Sequence, residues 1–323
     1  METVLELRAL TKRFPTHSAV DGISLSIQRG EFFSLVGPSG CGKTTTLRLI
    51  AGFEEPTSGE ILLGGRPVAG LRPYQRDVST VFQSYAVFPH LTVAQNVAFG
   101  LQRRNLGKTD IQRKVQQMLE LVQLSGKESR LPSQISGGER QRVALARSLI
   151  LEPKVLLLDE PLSALDPKLR KQMRSELKNL QRQVGIAFLF ITHDQEEALS
   201  LSDRMGVMNA GKLQQTGTPR ELYQQPESRF VAEFLGQVNW VNGAAVRPEA
   251  VRISKERPAE ESYLHGIVQG ATFLGNRVQL QTLLSDGAHC VAEINEDAHR
   301  FAPGDPVHVW WRAADELHTL NTP

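Results

Sequence analysis

The stretch Gly37-Pro-Ser-Gly-Cys-Gly-Lys-Thr-Thr fits the spacing G-x-x-x-x-G-K-[ST], and it constrains the chain more than any other feature. Residues 31–36, before it, are mostly apolar and predict a strand; residues from 43 onward predict a helix. A strand that enters a helix through a glycine-rich turn aims backbone N–H groups at the helix N-terminus, where an anion is favoured. Gly37, Gly40 and Gly42 let the backbone wrap closely around phosphate oxygens. Lys43 can reach the β- and γ-phosphates, and the Thr44 hydroxyl can ligate Mg²⁺. The residues expected around a bound nucleotide are therefore Gly37, Pro38, Ser39, Gly40, Cys41, Gly42, Lys43, Thr44 and Thr45.

A second motif supplies acid groups. Val155-Leu-Leu-Leu-Asp-Glu is an apolar run ending in two carboxylates, as at the C-terminal edge of a parallel strand. Asp159 is expected to hold Mg²⁺ and Glu160 to orient and polarise the attacking water. The two motifs together predict a P-loop NTPase. Further apolar runs at Phe32-Phe-Ser-Leu-Val, Val78-Ser-Thr-Val-Phe and Ala187-Phe-Leu-Phe-Ile predict strands. Helices are expected over 44–51, 110–124, 138–149, 168–184 and 195–201, giving an α/β domain on a largely parallel sheet.

The pattern changes near residue 236. His265-Gly-Ile-Val-Gln, Arg277-Val-Gln-Leu-Gln, His289-Cys-Val-Ala-Glu-Ile and Val307-His-Val-Trp-Trp are short and alternating, separated by turn residues. They predict a small all-β barrel or sandwich over 237–323. That region holds 7 Lys+Arg and 11 Asp+Glu, although the 323-residue chain as a whole is at +2. A net charge this small gives no reason to expect nucleic acid as a partner. Cys41 and Cys290 lie far apart, with no metal-ligand or redox spacing, which points to a reducing compartment. The opening residues lack a basic stretch followed by an apolar one, and no apolar run approaches the ~18–20 residues of a membrane helix. Work at a membrane would therefore go through a partner.

Ile135-Ser-Gly-Gly-Glu-Arg-Gln-Arg reads locally as a helix start, with Ser136 as N-cap and Glu139 closing a capping box. Two glycines just inside a helix are poor helix formers, so close approach of a ligand to that backbone is the alternative use. Here the chain resembles the ATP-binding cassette (ABC) ATPases, whose signature reads Leu-Ser-Gly-Gly-Gln; this chain departs from it with Ile135 and Glu139 in place of the Leu and Gln. A glutamate there could accept a hydroxyl proton but would repel a nearby phosphate.

The resemblance carries further expectations. In that family the signature of one subunit covers the ATP held by the other. This implies a homodimer with Ser136, Gly137, Gly138 and Glu139 facing the partner's nucleotide. Phe14 matches the aromatic ring that stacks on adenine. Gln83 matches the glutamine that senses Mg²⁺ and water, a catalytic and metal-facing role. Ser163-Ala-Leu-Asp166 resembles the loop at the dimer seam. His193 resembles the switch histidine that contacts the γ-phosphate.

The resemblance sharpens to importer ATPases with a C-terminal barrel of the oligomer-binding (TOBE) type, and within these to polyamine (spermidine/putrescine) importers; iron(III), sulfate and sugar importers are the alternatives. The resembling stretches include Val81-Phe-Gln-Ser-Tyr-Ala, Leu162-Ser-Ala-Leu-Asp, Lys168-Leu-Arg-Lys-Gln-Met and Thr192-His-Asp-Gln-Glu-Glu-Ala. It implies an ATP-binding domain over 1–236 with a helical subdomain at about 88–150, and a barrel over 237–323 that regulates or dimerises. Arg247-Pro-Glu-Ala-Val-Arg resembles a barrel motif, although only about ten residues separate it from Gly236, fewer than relatives use.

Two transmembrane permease subunits and, indirectly, a solute-binding protein are the implied partners, at the cytoplasmic face of the cell membrane. Tyr85 and Phe88 are expected in a groove for a partner helix, and Phe82 in the core. A non-transport cassette ATPase of DNA repair or translation would carry coiled-coil insertions or tandem cassettes, which this chain lacks. A regulator that only senses nucleotide would not need Glu160 and His193.

Overall fold

The computed structural model describes residues 2–103, 106–260, 262–295 and 301–317; Met1, Arg104, Asn105, Glu261 and residues 296–300 and 318–323, which the expected domain spans include, lie outside the described residues. Two compact units are present, Met1–Pro219 and Arg220–Pro323.

In chain order the first unit contains β1 (Thr3–Phe14), β2 (His17–Gln28), β3 (Phe32–Val36), α1 (Lys43–Ala51), β4 (Ser58–Leu63), β5 (Arg66–Pro67) and β6 (Val78–Val81). It continues with α2 (Val93–Ala98), α3 (Lys108–Leu121), α4 (Gly137–Leu149), β7 (Val155–Asp159) and α5 (Pro167–Val184). It closes with β8 (Ala187–Thr192), α6 (Gln195–Leu201), β9 (Arg204–Asn209) and β10 (Lys212–Gly217).

Two sheets result. One is six-stranded in the order β10-β9-β3-β8-β7-β6, parallel except for β10. Its central strands are covered on both faces, which is why they read as unbroken apolar runs. Successive side chains still alternate between faces. Val155, Leu157, Ala187, Leu189 and Ile191 join one core, with α1 and β1. Leu156, Leu158, Phe188 and Phe190 join the other, with α4 and α5.

The other sheet, β2-β1-β4-β5, is antiparallel and was not foreseen. Register shifts interrupt β1, and Ala9 sits at φ 44° with its N–H donated to Ser24 Oγ. Such bulges break the period-two signal from which a strand is read.

The chain passes into the second unit at the start of α7 (Pro219–Gln224) and continues with α8 (Arg229–Leu235), β11 (Asn239–Val241), β12 (Ala244–Val246), β13 (Arg252–Ser254), β14 (Leu264–Phe273), β15 (Val278–Leu284), β16 (His289–Ile294) and β17 (Pro306–Trp310). β11 and β12 form a hairpin whose turn residues, Asn242 and Gly243, both have positive φ, as a tight primed turn requires. β13-β17-β14-β15-β16 form an antiparallel sheet around Val241, Val246, Val268, Leu284, Cys290 and Val309. This is the small all-β module expected from the alternating runs. Arg247 anchors it. Nearly buried, its guanidinium donates to the carbonyls of Tyr223, Ala232, Gly236 and Gln237 and stacks on the Tyr223 ring at 4.1 Å. Burial and its hydrogen bond to Glu249 push the Tyr223 hydroxyl up to about 12. Burial likewise pushes the Cys290 thiol to about 12. Cys41 and Cys290 are both free thiols.

Candidate active site

The strand order puts β8 between β3 and β7. The phosphate loop leaves the end of β3, Asp159 and Glu160 lie at the end of β7, and His193 follows β8. Three segments distant in sequence thus meet at one edge of a parallel sheet, the edge at which such sheets bind ligands.

The loop wraps tightly. A Cβ at Gly37 would overlap the Met208 carbonyl, and one at Gly42 would overlap the Ala19 carbonyl of β2. Gly42 also caps α1 at φ 107°, so glycine is needed there twice over. Lys43 is only 5% exposed. Its Nζ donates to the carbonyls of Gly37 (2.8 Å) and Pro38 (3.0 Å), which draws the ammonium across the loop. Cys41 Sγ lies 3.7 Å from Nζ, and burial raises its pKa despite the neighbouring charge.

Thr44 Oγ1 donates to Asp159 Oδ1 at 3.1 Å. A hydroxyl and a carboxylate at the mouth of a phosphate loop are hard oxygen donors, the kind that Mg²⁺ takes together with phosphate oxygens and water. Burial raises the Asp159 pKa; the Thr44 hydrogen bond opposes this and Glu160 adds to it. Glu160 has φ 46°, a strained setting for a residue with a side chain. Its N–H donates to Ile191 O at 3.0 Å, and its carbonyl accepts from Ser163 Oγ at 2.8 Å. Its Oε2 is 3.1 Å from His193 Nδ1.

The other expected residues are placed as follows. Gln83 lies against the turn after β7, where Nε2 donates to Ser163 Oγ at 3.0 Å. Phe14 ends β1, its ring stacked on His17 at 5.4 Å with Lys12 Nζ 5.1 Å away. Ser136 caps α4: its N–H donates to Glu139 Oε2 at 2.7 Å, and its Oγ accepts from Glu139 N at 3.3 Å. The capping box is therefore real. Glu139 is also paired with the Lys127 ammonium, which offsets its charge. Asp166 caps α5 by accepting from Leu169 N. Gly138 packs under Leu169, where a Cβ would come within 3.3 Å, whereas a Cβ at Gly137 would find almost open space. Among the described residues no hydrogen bond joins 136–139 to the phosphate loop of the same chain.

The aromatic segment after β6 departs from expectation. Phe82, expected in the core, is 37% exposed, and Tyr85, expected in a groove, is buried with its hydroxyl donating to Pro161 O. Tyr85 and Ala86 both have positive φ, and Arg147 holds both of their carbonyls. That reversal turns Tyr85 inward. Phe88 is half-buried against Phe99 at 4.5 Å. Phe53, Tyr74, Phe82, Phe88 and Phe99 line a cleft of about 300 Å³, a cluster of apolar surface that sequence reading did not assemble. Tyr74 is 77% exposed.

Comparison with known proteins follows the same division. An ABC transporter family model matches residues 20–163, and a TOBE domain model matches 244–318. A spermidine/putrescine import ATP-binding protein of Rubrobacter xylanophilus is 49% identical over 96% of this chain and 92% of its own length. One from Pseudomonas aeruginosa is 56% identical over 98% of this chain and 85% of its own. Among solved structures, cbiO1 of Clostridium perfringens, part of the ABC transporter complex cbiONQ, is similar at TM-score 0.64 and 30% identity, over 69% of this chain and 91% of that one. A dimeric ATP-binding cassette bound to ADP and Pi in a post-hydrolysis state is similar at TM-score 0.59 and 29% identity, over 67% and 99%. With relatives this close along almost its whole length, the chain belongs to the ABC transporter family, as an ATP-binding subunit that hydrolyses ATP and carries a TOBE domain behind its cassette.

Proposed function

We propose that this chain energises polyamine uptake, as the peripheral ATPase of an importer at the cytoplasmic face of the membrane. The observation that carries the cargo is the spermidine/putrescine import name shared by relatives aligned over most of their length. No helix among the described residues is long and apolar enough to cross a membrane, so transport through this machine needs spans on other chains. The cleft edged by Tyr74, Phe82 and Phe88 suits a helix from a permease subunit, because it offers large apolar side chains in a concave setting.

In this reading residues 1–236 handle nucleotide, with a helical subdomain at about 88–150, and residues 237–323 dimerise or regulate. Two copies close around two ATPs. Lys43 and the loop N–H groups of one copy hold the phosphates, and Ser136, Gly137 and Gly138 of the other approach with the N-terminus of α4. Phe14 supplies the ring beneath adenine. Thr44 and Asp159 would hold Mg²⁺, with Gln83 reaching it from the neighbouring segment; the ion's charge would offset that of the phosphates. Glu160 accepts a proton from the attacking water at its carboxylate, and His193 keeps that carboxylate aimed. Asp166 lies at the seam.

Reconstitution in vesicles with the cognate permease pair and solute-binding protein tests the cargo. Spermidine or putrescine should stimulate ATP hydrolysis and accumulate. If only Fe³⁺, sulfate or a sugar does so, the polyamine assignment is lost and the importer role stands.

A further inference from the structure

The turn after β7 and the turn after β8 each carry one member of the Glu160–His193 pair. Arg170, in the first turn of α5, reaches both. Its Nη2 donates to the carbonyls of Ser163 (3.4 Å) and Leu165 (3.2 Å). Its Nη1 lies 3.6 Å from Asp194 Oδ2, and its Nε lies 3.7 Å from Glu197 Oε1. The two segments it joins are otherwise stiff. In the first, Ser163 N and Oγ both donate to Glu160 O, so the position of the Ser163 backbone sets that of Glu160. In the second, Thr192 Oγ1 donates to Glu197 Oε2 at 2.6 Å and accepts from Asp194 N at 3.0 Å. The residues on either side of His193 are thus tied to the two carboxylates that Arg170 holds.

Glu197 is almost fully buried; burial raises its pKa, while Thr192, Arg170 and Arg174 favour the ionised form. Backbone pairing joins the two strand ends, with Glu160 N–H donating to Ile191 O at 3.0 Å, but the 3.1 Å contact between the Glu160 and His193 side chains is a weak tie, because His193 is more than half exposed.

We propose that Arg170 is a positioning residue for ATP hydrolysis, fixing the turn that carries Glu160 against the turn that carries His193. It does not touch substrate in this role. Its planar guanidinium donates to two carbonyls and keeps its charge within 4 Å of two carboxylates, with Nε itself making no hydrogen bond among the described residues; a single lysine ammonium cannot cover that spread. This rests on the reading of Glu160 and His193 as the catalytic pair. The ring of contacts also includes Gln83, through Ser163 Oγ, so a shift in the Gln83 segment is felt at the same turn.

The plain alternative is a stabilising ion pair between α5 and α6. The test therefore uses Arg170→Lys, which keeps the charge beside Glu197, alongside Arg170→Ala in the full chain. ATP hydrolysis, KM for ATP, thermal midpoint and ATP-dependent dimerisation are measured. Arg170→Lys should lose about 10- to 100-fold in kcat, the scale of a small misplacement of reacting groups. KM should stay within about twofold and the midpoint close to wild type. In a His193→Ala background the same substitution should cost no more than about twofold, because the group it positions is gone.

Wild-type kcat in Arg170→Lys overturns the proposal. So does a loss in the His193→Ala background equal to that in wild type, or a rise in KM at unchanged kcat. Glu160→Gln is the control. If it hydrolyses ATP normally, the catalytic reading falls and takes this proposal with it; if it is inactive while Arg170→Lys is normal, only the role of Arg170 falls.

Discussion

Replacing Glu139 by glutamine separates the two jobs of that side chain at the start of α4. Glu139 accepts the Ser136 N–H and pairs with Lys127. Glutamine retains an acceptor for the Ser136 N–H, so the capping box survives. It loses the ion pair, whose side chains are 34% and 21% exposed, and the favourable negative charge at a helix N-terminus. Those two losses sum to about 1 kcal/mol. Alanine also leaves the Ser136 N–H without its partner, adding about 1 kcal/mol more. Hydrogen exchange in the first turn of α4 reads this locally. Opening should rise about fivefold in Glu139→Gln and about thirtyfold in Glu139→Ala, since 1.4 kcal/mol is a factor of ten.

A functional consequence is tied to the same pair. Lys127→Met leaves an uncompensated carboxylate on the surface proposed to cover the partner's ATP. It should weaken ATP-driven dimerisation, and adding Glu139→Gln should restore it. Equal exchange in the Gln and Ala variants, or no rescue in the double variant, would refute the reasoning.

Glu160→Gln should bind ATP and dimerise but hydrolyse it at least about 100-fold more slowly in a phosphate-release assay; normal turnover would remove the assigned role. Asp159→Asn should abolish hydrolysis yet raise the thermal midpoint at pH 7. Burial raises the Asp159 pKa, so the folded state prefers the neutral form, and the contribution of Asp159 to stability falls as pH rises from its unfolded value through its folded one. The advantage of Asn should therefore shrink towards pH 4 in a series of melting curves; an advantage that grows on acidification has the wrong sign. Arg247→Lys should destabilise the second unit by about 2–4 kcal/mol, because one ammonium cannot serve four carbonyls and stack on Tyr223. Tryptophan fluorescence reports it, since Trp240, Trp310 and Trp311 all lie in that unit; an unchanged urea midpoint would argue against it. Gln141 is fully buried with neither side-chain polar atom hydrogen-bonded among the described residues, so Gln141→Leu should stabilise the first unit by about 1 kcal/mol in urea unfolding, and a loss would show that the amide has a partner.

The parallel strands were legible because burial on both faces writes them as runs such as Val155-Leu-Leu-Leu, with no polar residue to confuse the period. The start of α4 was legible because Ser136 and Glu139 are three residues apart and their hydrogen bonds are local. β1 and β2 were missed because bulges shift their register. Phe82 and Tyr85 were exchanged between core and surface because two consecutive left-handed residues, Tyr85 and Ala86, reverse the chain just where a period would be counted.

The phosphate loop, the acid pair after β7 and the order of the motifs follow from the residues alone. Each depends on residues close together, whose backbone preferences and side-chain chemistry act over a few positions. Folding was needed to bring Gln83 onto Ser163, Lys127 to Glu139, and Arg170 between Ser163 and Asp194. The contacts of Gln83 and Arg170 join segments that the strand order brings side by side, that of Lys127 joins the loop after α3 to the start of α4, and no local preference records which neighbour a side chain meets after such packing.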